Sequence, residues 1–106
     1  MFIGSFKLES QVLLAPMAGT SDKPFRMLCR ELGAALTTSE MVIMQKHLLG
    51  TSKSKHRLDF SSERGPISIQ IAGSNANEMA DSAKRAVDFG AQIVDINMGC
   101  PAKKVC

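Results

Sequence analysis

Apolar residues along this chain fall into short runs separated by polar turns, and the period inside each run changes from one run to the next. Phe2 to Lys7 and Gln11 to Ala15 read as two strands around Leu8-Glu9-Ser10. Val12, Leu13 and Leu14 are consecutive, the pattern of a strand buried on both faces. That strand must stop at Pro16, which has no amide hydrogen for a ladder. Gly19 and Thr20 then turn the chain. Ser21 or Asp22 suits a helix N-cap and Pro24 the first turn. Phe25, Leu28, Cys29 and Leu32 recur at i, i+3, i+4 and i+7, which predicts one buried face with Arg26, Arg30 and Glu31 off it. Gly33 is the expected stop, and Ala34 to Thr38 reads as a buried strand.

Met41 to Leu49 reads as a short helix and Gly50 to Arg64 as loop. Ile67 to Ile71 alternates Ile, Ser, Ile, Gln, Ile, a strand signal of period 2. Asn75, with Glu78 three residues on, resembles a capping box. Met79, Ala83, Ala86 and Val87 then form an apolar stripe up to Gly90, and Gln92 to Ile96 is another strand. Leu32-Gly33-Ala34 and Phe89-Gly90-Ala91 are echoes of each other, each joining a helix to a strand. Strand–helix–strand occurs twice, so crossover connections and a parallel sheet are expected. The expected class is α/β with about four parallel strands and intervening helices: half of a (β/α)8 barrel, or a small open sheet. No Gly-x-Gly-x-x-Gly follows the first strand, which counts against a dinucleotide fold.

Composition narrows the class. With 106 residues, 44% apolar and 22% charged, the chain is suited to one globular domain and not to a disordered tail. Three cysteines make no disulfide framework, so a reducing compartment is expected. The formal charge of +3 permits a polyanionic partner without requiring one. There is no run of about 18 apolar residues for a membrane span and none of roughly 7–15 for an export signal. The expected location is the cytoplasm, with no membrane partner.

In parallel α/β folds chemistry gathers where strands end. Four strand ends here are rich in small or polar residues: Ala15-Pro-Met-Ala-Gly19, Thr38-Ser-Glu-Met41, Gln70-Ile-Ala-Gly73 and Asn97-Met-Gly-Cys-Pro101. Cys100 is flanked by Gly99, which allows close backbone approach, and by Pro101. Gln70 and Asn97 carry amides that both donate and accept. Glu40 could orient a neighbour or form a structural salt bridge. Lys46, His47, Lys53, Lys55, His56 and Arg57 form a basic stretch, either a solvated face or a contact for phosphates. No pair of His or Cys ligands accompanies Cys100 and Cys106, so no metal is expected.

Ala15-Pro-Met-Ala-Gly19 with Asp22 and Pro24-Phe-Arg26, Ser39-Glu-Met41, Gln70-Ile-Ala-Gly73 and Asp95-Ile-Asn-Met-Gly-Cys-Pro-Ala-Lys-Lys-Val105, taken together and in register, resemble the tRNA-dihydrouridine synthases, and the bacterial B-type subfamily most. The resemblance implies an FMN-binding (β/α)8 TIM barrel followed by a helical tRNA-binding domain, with NADPH reducing tRNA uridine to 5,6-dihydrouridine. It implies FMN contact by Pro16, Met17, Ala18 and Gln70, and proton donation by Cys100. Asn97 is expected to hydrogen-bond the uracil edge of the RNA substrate or the flavin, or else to cap the loop backbone; Lys103 and Lys104 are expected to meet the RNA, and the full-length protein to act as a monomer.

A barrel needs about 250 residues. Residues 1–106 are therefore expected to be the N-terminal part of the FMN-binding domain. The remaining strands, the later lysine, histidine and phosphate-binding loops and the helical domain would be absent. A longer protein or an interrupted reading frame would each account for that. Alone, the 106 residues are expected to bind FMN poorly and to self-associate. The rival readings are another FMN barrel oxidoreductase acting on a small molecule and a non-catalytic truncated fragment.

Overall fold

The computed structural model describes residues 1–42 and 50–99. It opens with a hairpin, β1 (Phe2–Ile3) and β2 (Phe6–Lys7), paired antiparallel. One strand was expected from Phe2 to Lys7. Gly4, at φ 56°, instead reverses the chain in its middle.

The parallel strands follow: β3 (Leu13–Leu14), β4 (Leu36–Thr37), β5 (Ser68–Ile71) and β6 (Ile93–Ile96). β3 pairs parallel with β4 and β5 with β6, with Gln70 beside Asp95 in the second register. Parallel bridges Thr38–Ser68 and Val42–Ile71 join the two pairs. The strands therefore lie side by side in chain order, as successive crossover units require. Burial of β3 on both faces is not found: Val12 is 62% and Leu13 45% exposed. β3 hydrogen-bonds β4 on one edge, and among the described residues no strand pairs with the other.

Helix α1 (Lys23–Glu31) follows β3, with the Asp22 carboxylate accepting from Phe25 N at 3.1 Å. The predicted buried stripe holds only in part, with Phe25 and Cys29 half-buried. Leu28 is exposed and Leu32 is 80% exposed, whereas Arg26 is 1% exposed. Arg26 is drawn inward because every side of its guanidinium meets a partner. Glu63 takes two bonds (2.8 and 2.9 Å), the Ser21 and Asp59 carbonyls take one each (3.0 and 3.3 Å), and the Phe60 ring lies 5.4 Å away. Fully bonded in this way, a buried charge is tolerated where an unpaired one is not.

Met41 and Val42 are not helical, since Val42 bridges to Ile71; the rest of the helix expected over 41–49 lies outside the described residues. The loop expected over 50–64 contains α2 (Ser52–Arg57), started by the Thr51 hydroxyl accepting from Ser54 N. Helix α3 (Ala76–Asp88) begins where Asn75 predicts it, the Asn75 amide accepting from Glu78 N at 2.9 Å. Ala86 of its predicted stripe is buried and Val87 is exposed; Ser82 is buried in its stead. The echoed joints are two Schellman caps. Gly33 (φ 109°) and Gly90 (φ 103°) occupy the left-handed position, and the following Ala34 and Ala91 amides reach back to the Cys29 and Ala86 carbonyls at 2.9 and 3.0 Å.

Val42, Ile69, Ile71, Ala86 and Ala91 form the core, with Leu58, Phe60, Ile67, Met79, Ala83 and Val94 packed against it. All four residues of β5 are buried. Ile69 and Ile71 join this core, while Ser68 and Gln70 alternate onto the other face. Among the described residues no helix is long and apolar enough to cross a membrane.

Candidate functional site at the strand ends

The carboxyl ends of β3 to β6 bring together segments that are far apart in sequence. After β3 the chain makes a tight turn. Thr20 N and Ser21 N both donate to the Met17 carbonyl (3.0 and 2.9 Å). The buried Ser21 hydroxyl accepts from Met17 N at 2.7 Å and donates to Met17 O at 3.0 Å. Met17, Ala18 and Gly19 are exposed along this turn, with Pro16 half-buried. Gly19 adopts φ 76° and its N–H donates to the buried Glu40 carboxylate beyond β4. The other Glu40 oxygen lies 3.8 Å from Arg57 Nε, and Arg57 Nη1 donates to Met41 O at 3.0 Å. Glu40 thus forms the structural salt bridge that was one of its two expected roles, and also accepts from the Gly19 N–H of the first turn.

Between β4 and β5, Gln70 N donates to Ser39 Oγ (3.1 Å), which donates to Glu40 O (3.0 Å). Gln70 is buried, at 7% exposed. Its Nε2 donates to Asp95 Oδ2 at 2.6 Å, and its Oε1 accepts from Asn97 Nδ2 at 3.3 Å. Asn97 Oδ1 in turn accepts from Gly99 N at 3.0 Å.

The structure thus gathers Pro16, Met17, Ala18, Gln70 and Asn97 at one end of the sheet, with Gln70 and Asn97 in direct contact. Cys100, Lys103 and Lys104 lie outside the described residues, as do Lys46 and His47. Of the basic stretch, Lys53, Lys55 and His56 are exposed on α2, whereas Arg57 is committed to Glu40 and Met41. An open cleft of about 450 Å³ runs between Ala18, Gly19, Asp22 and Glu40 on one side and Lys53, His56 and Arg57 on the other. A second cavity, about 210 Å³, sits at the amino ends of the strands and includes Arg30, Arg64 and Gly65. Arg30 there is committed to Thr37 and Pro66, and burial pulls its guanidinium below its ordinary range while Glu63 acts in the other direction.

Asp95 heads a segment singled out from sequence, but no role was expected for it. Its signal was present: a carboxylate interrupts the apolar strand Ile93-Val94-Asp95-Ile96, where β-propensity disfavours it. Ser39, named within its strand end, was likewise given no role, being indistinguishable in sequence from a packing serine.

These residues suit a flat, polar-edged ring such as a flavin. The turn at 17–19 is poor in side chains, and a Cβ built on Gly19 would meet nothing within 4 Å. Gln70 uses one amide hydrogen on Asp95, and among the described residues the second has no partner. Turn and amide are separated by two strand spacings, roughly 10 Å. No group of three or more potential metal ligands occurs among the described residues.

Residues 13–106 match the family model for dihydrouridine synthase (Dus). The chain is 56% identical over all 106 residues to a tRNA-dihydrouridine synthase B of Xanthomonas axonopodis, 32% of that protein. It is 53% identical over 104 residues to one from Pseudomonas aeruginosa and 51% over 105 to one from Escherichia coli K12, or 98% and 99% of the chain and 31% and 33% of those proteins. The chain thus spans about a third of the length of these relatives.

Proposed function

The chain belongs to the dihydrouridine synthase family, and from that premise we propose that its full-length protein reduces uridine in tRNA to 5,6-dihydrouridine. The four strands are the first half of a (β/α)8 barrel whose mouth holds the target base, taken out of its stack. Pro16, Met17 and Ala18 would hold FMN through their backbone, and the Gln70 amide would bond a polar edge of its ring. FMN bound there would supply the hydride, with NADPH as the reductant. Saturating the uracil 5,6 double bond needs a hydride at one carbon and a proton at the other; the Cys100 thiol gives the proton. Free thiols titrate near 8.5, so the donor form dominates at neutral pH. Asn97 hydrogen-bonds the uracil, and Lys103 and Lys104 hold RNA phosphates. The protein acts as a cytoplasmic monomer.

One observation carries this reading: the Ala-Pro-Met-Ala turn and the Asn-x-Gly-Cys-Pro segment occur in one chain, and the exposed turn, Gln70 and Asn97 close the same end of one parallel sheet. The test uses a full-length chimera in which this chain replaces the corresponding residues of the Xanthomonas axonopodis relative. Cys100→Ala should leave the yellow flavin absorbance in place and lower dihydrouridine formation by about 10²–10⁴-fold. Undiminished turnover refutes Cys100 as the acid. A colourless unsubstituted chimera, or one that reduces free pyrimidines as readily as tRNA, refutes the wider reading.

A further inference from the structure

We propose that Asp95 is a positioning residue: its carboxylate sets the donor–acceptor direction of Gln70 and Asn97 and so presents both amides to the flavin and the base. The inference rests on the reading of Gln70 and Asn97 given above. Amide side chains have two ends of nearly equal shape and opposite hydrogen-bonding sense, so a site built from them needs something to choose the orientation. A carboxylate only accepts. Asp95 and Gln70 are neighbours in the β5–β6 register, which places both side chains on one face of the sheet.

Asp95 Oδ2 takes a Gln70 N–H at 2.6 Å, the short distance of a charge-assisted bond. The Gln70 NH2 must therefore face β6, and its oxygen must face away from Asp95. That oxygen requires a donor, so Asn97 turns its own NH2 toward it, at 3.3 Å. The Asn97 oxygen is then directed at the Gly99 N–H, 3.0 Å away. One carboxylate thus orders three successive groups and ends on the peptide N–H next to Cys100 in sequence. The Asn97 backbone is held separately, its N–H donating to Ile71 O at 3.0 Å. The side-chain relay therefore fixes amide orientation and not the course of the chain. A serine or alanine would leave β6 paired and remove the direction.

The test compares Asp95→Asn and Asp95→Ala in the full-length chimera. Asn keeps the size but can donate as well as accept, so both orders of the relay become available. In the flavin-free protein, exchange of the Gln70 and Asn97 side-chain NH2 protons should be slowed, and Asp95→Asn should accelerate it about tenfold. FMN titration by fluorescence quenching should give about tenfold weaker binding for Asp95→Asn. That loss should fall below twofold when the same change is made in Gln70→Ala, because the route through Gln70 is then gone. Unprotected side-chain amides in the unsubstituted protein, or an Asp95→Asn protein with exchange and FMN affinity within twofold of it, overturn the proposal. So does a loss that persists undiminished beside Gln70→Ala. If the unsubstituted chimera takes up no FMN, the flavin reading fails by itself, and amide exchange still decides the relay. If Asp95→Ala does not fold, Asp95→Asn decides alone.

Discussion

Glu63→Gln isolates the buried ion pair at the foot of α1. In the native protein the Arg26 and Glu63 side chains are 1% and 4% exposed, and Arg26 Nε and Nη2 each donate to one Glu63 oxygen (2.8 and 2.9 Å). Gln has nearly the same shape but offers one acceptor and one NH2. One arginine N–H then faces another donor, and the guanidinium keeps its charge in a site with no counter-charge. Hydrogen bonds to charged groups contribute about 1.5–3 kcal/mol each, and breaking a buried pair from one side costs about 3–5 kcal/mol. The two remaining carbonyl bonds to Ser21 and Asp59 soften the loss without neutralising the charge, so about 3 kcal/mol is expected. Urea unfolding of the full-length chimera, followed by circular dichroism, reads this as a lowered midpoint with an unchanged slope. The double variant Arg26→Met with Glu63→Leu should recover most of the loss, because two apolar side chains leave no charge unpaired. A Glu63→Gln loss under about 1 kcal/mol, or a double variant as unstable as the single, contradicts the account of why Arg26 turns inward.

Three further outcomes follow from individual contacts. Gly65→Ala should destabilise by about 1 kcal/mol more than Gly19→Ala: both glycines have φ 76°, but a Cβ on Gly65 comes 2.6 Å from Arg30 Nη1, whose guanidinium Thr37 and Pro66 hold in place, while one on Gly19 meets nothing within 4 Å; paired urea titrations check the order. The Ser61 hydroxyl, then the Ser61 N–H and Lys23, hold the Asp59 carboxyl down at about 2 from 3.8. A depressed carboxyl adds stability above its unfolded value and loses it as pH falls toward the folded one. Asp59→Asn should therefore flatten the acid limb of stability between about pH 4 and pH 2, read from thermal midpoints across that window. Replacing Lys103 and Lys104 with Ala should reduce the slope of log tRNA affinity against log salt by about 1.5, since each phosphate contact contributes about 0.7–0.9; an unchanged slope assigns the phosphates to other residues.

Local chemistry was legible in the sequence at the ends of α1 and α3, though not at the Gly4 reversal or the Thr51 cap of α2, which were read as strand and loop. Asp22 and Asn75 start α1 and α3 because a side-chain oxygen reaches an amide three residues on, and Gly33 and Gly90 end them because they take positive φ without strain. Parallel pairing followed from two crossover units, and the strand-end segments from where the apolar runs stop. Partners distant in the chain were not legible. Periodicity sorts residues by polarity, so it placed Arg26 outside and Leu28 and Leu32 inside α1; burial reversed this because Glu63, 37 residues away, neutralises the arginine. Gln70 was identifiable as an amide at a strand end, but its orientation depends on Asp95, 25 residues on, and Asn97, 27 residues on. The amino-acid order alone determined the caps of α1 and α3, the parallel succession and which residue types reach the sheet's mouth, since each depends on neighbours within a few positions. The tertiary structure decided which charge is buried and which way each amide faces, since those choices depend on groups that only folding brings within hydrogen-bond reach.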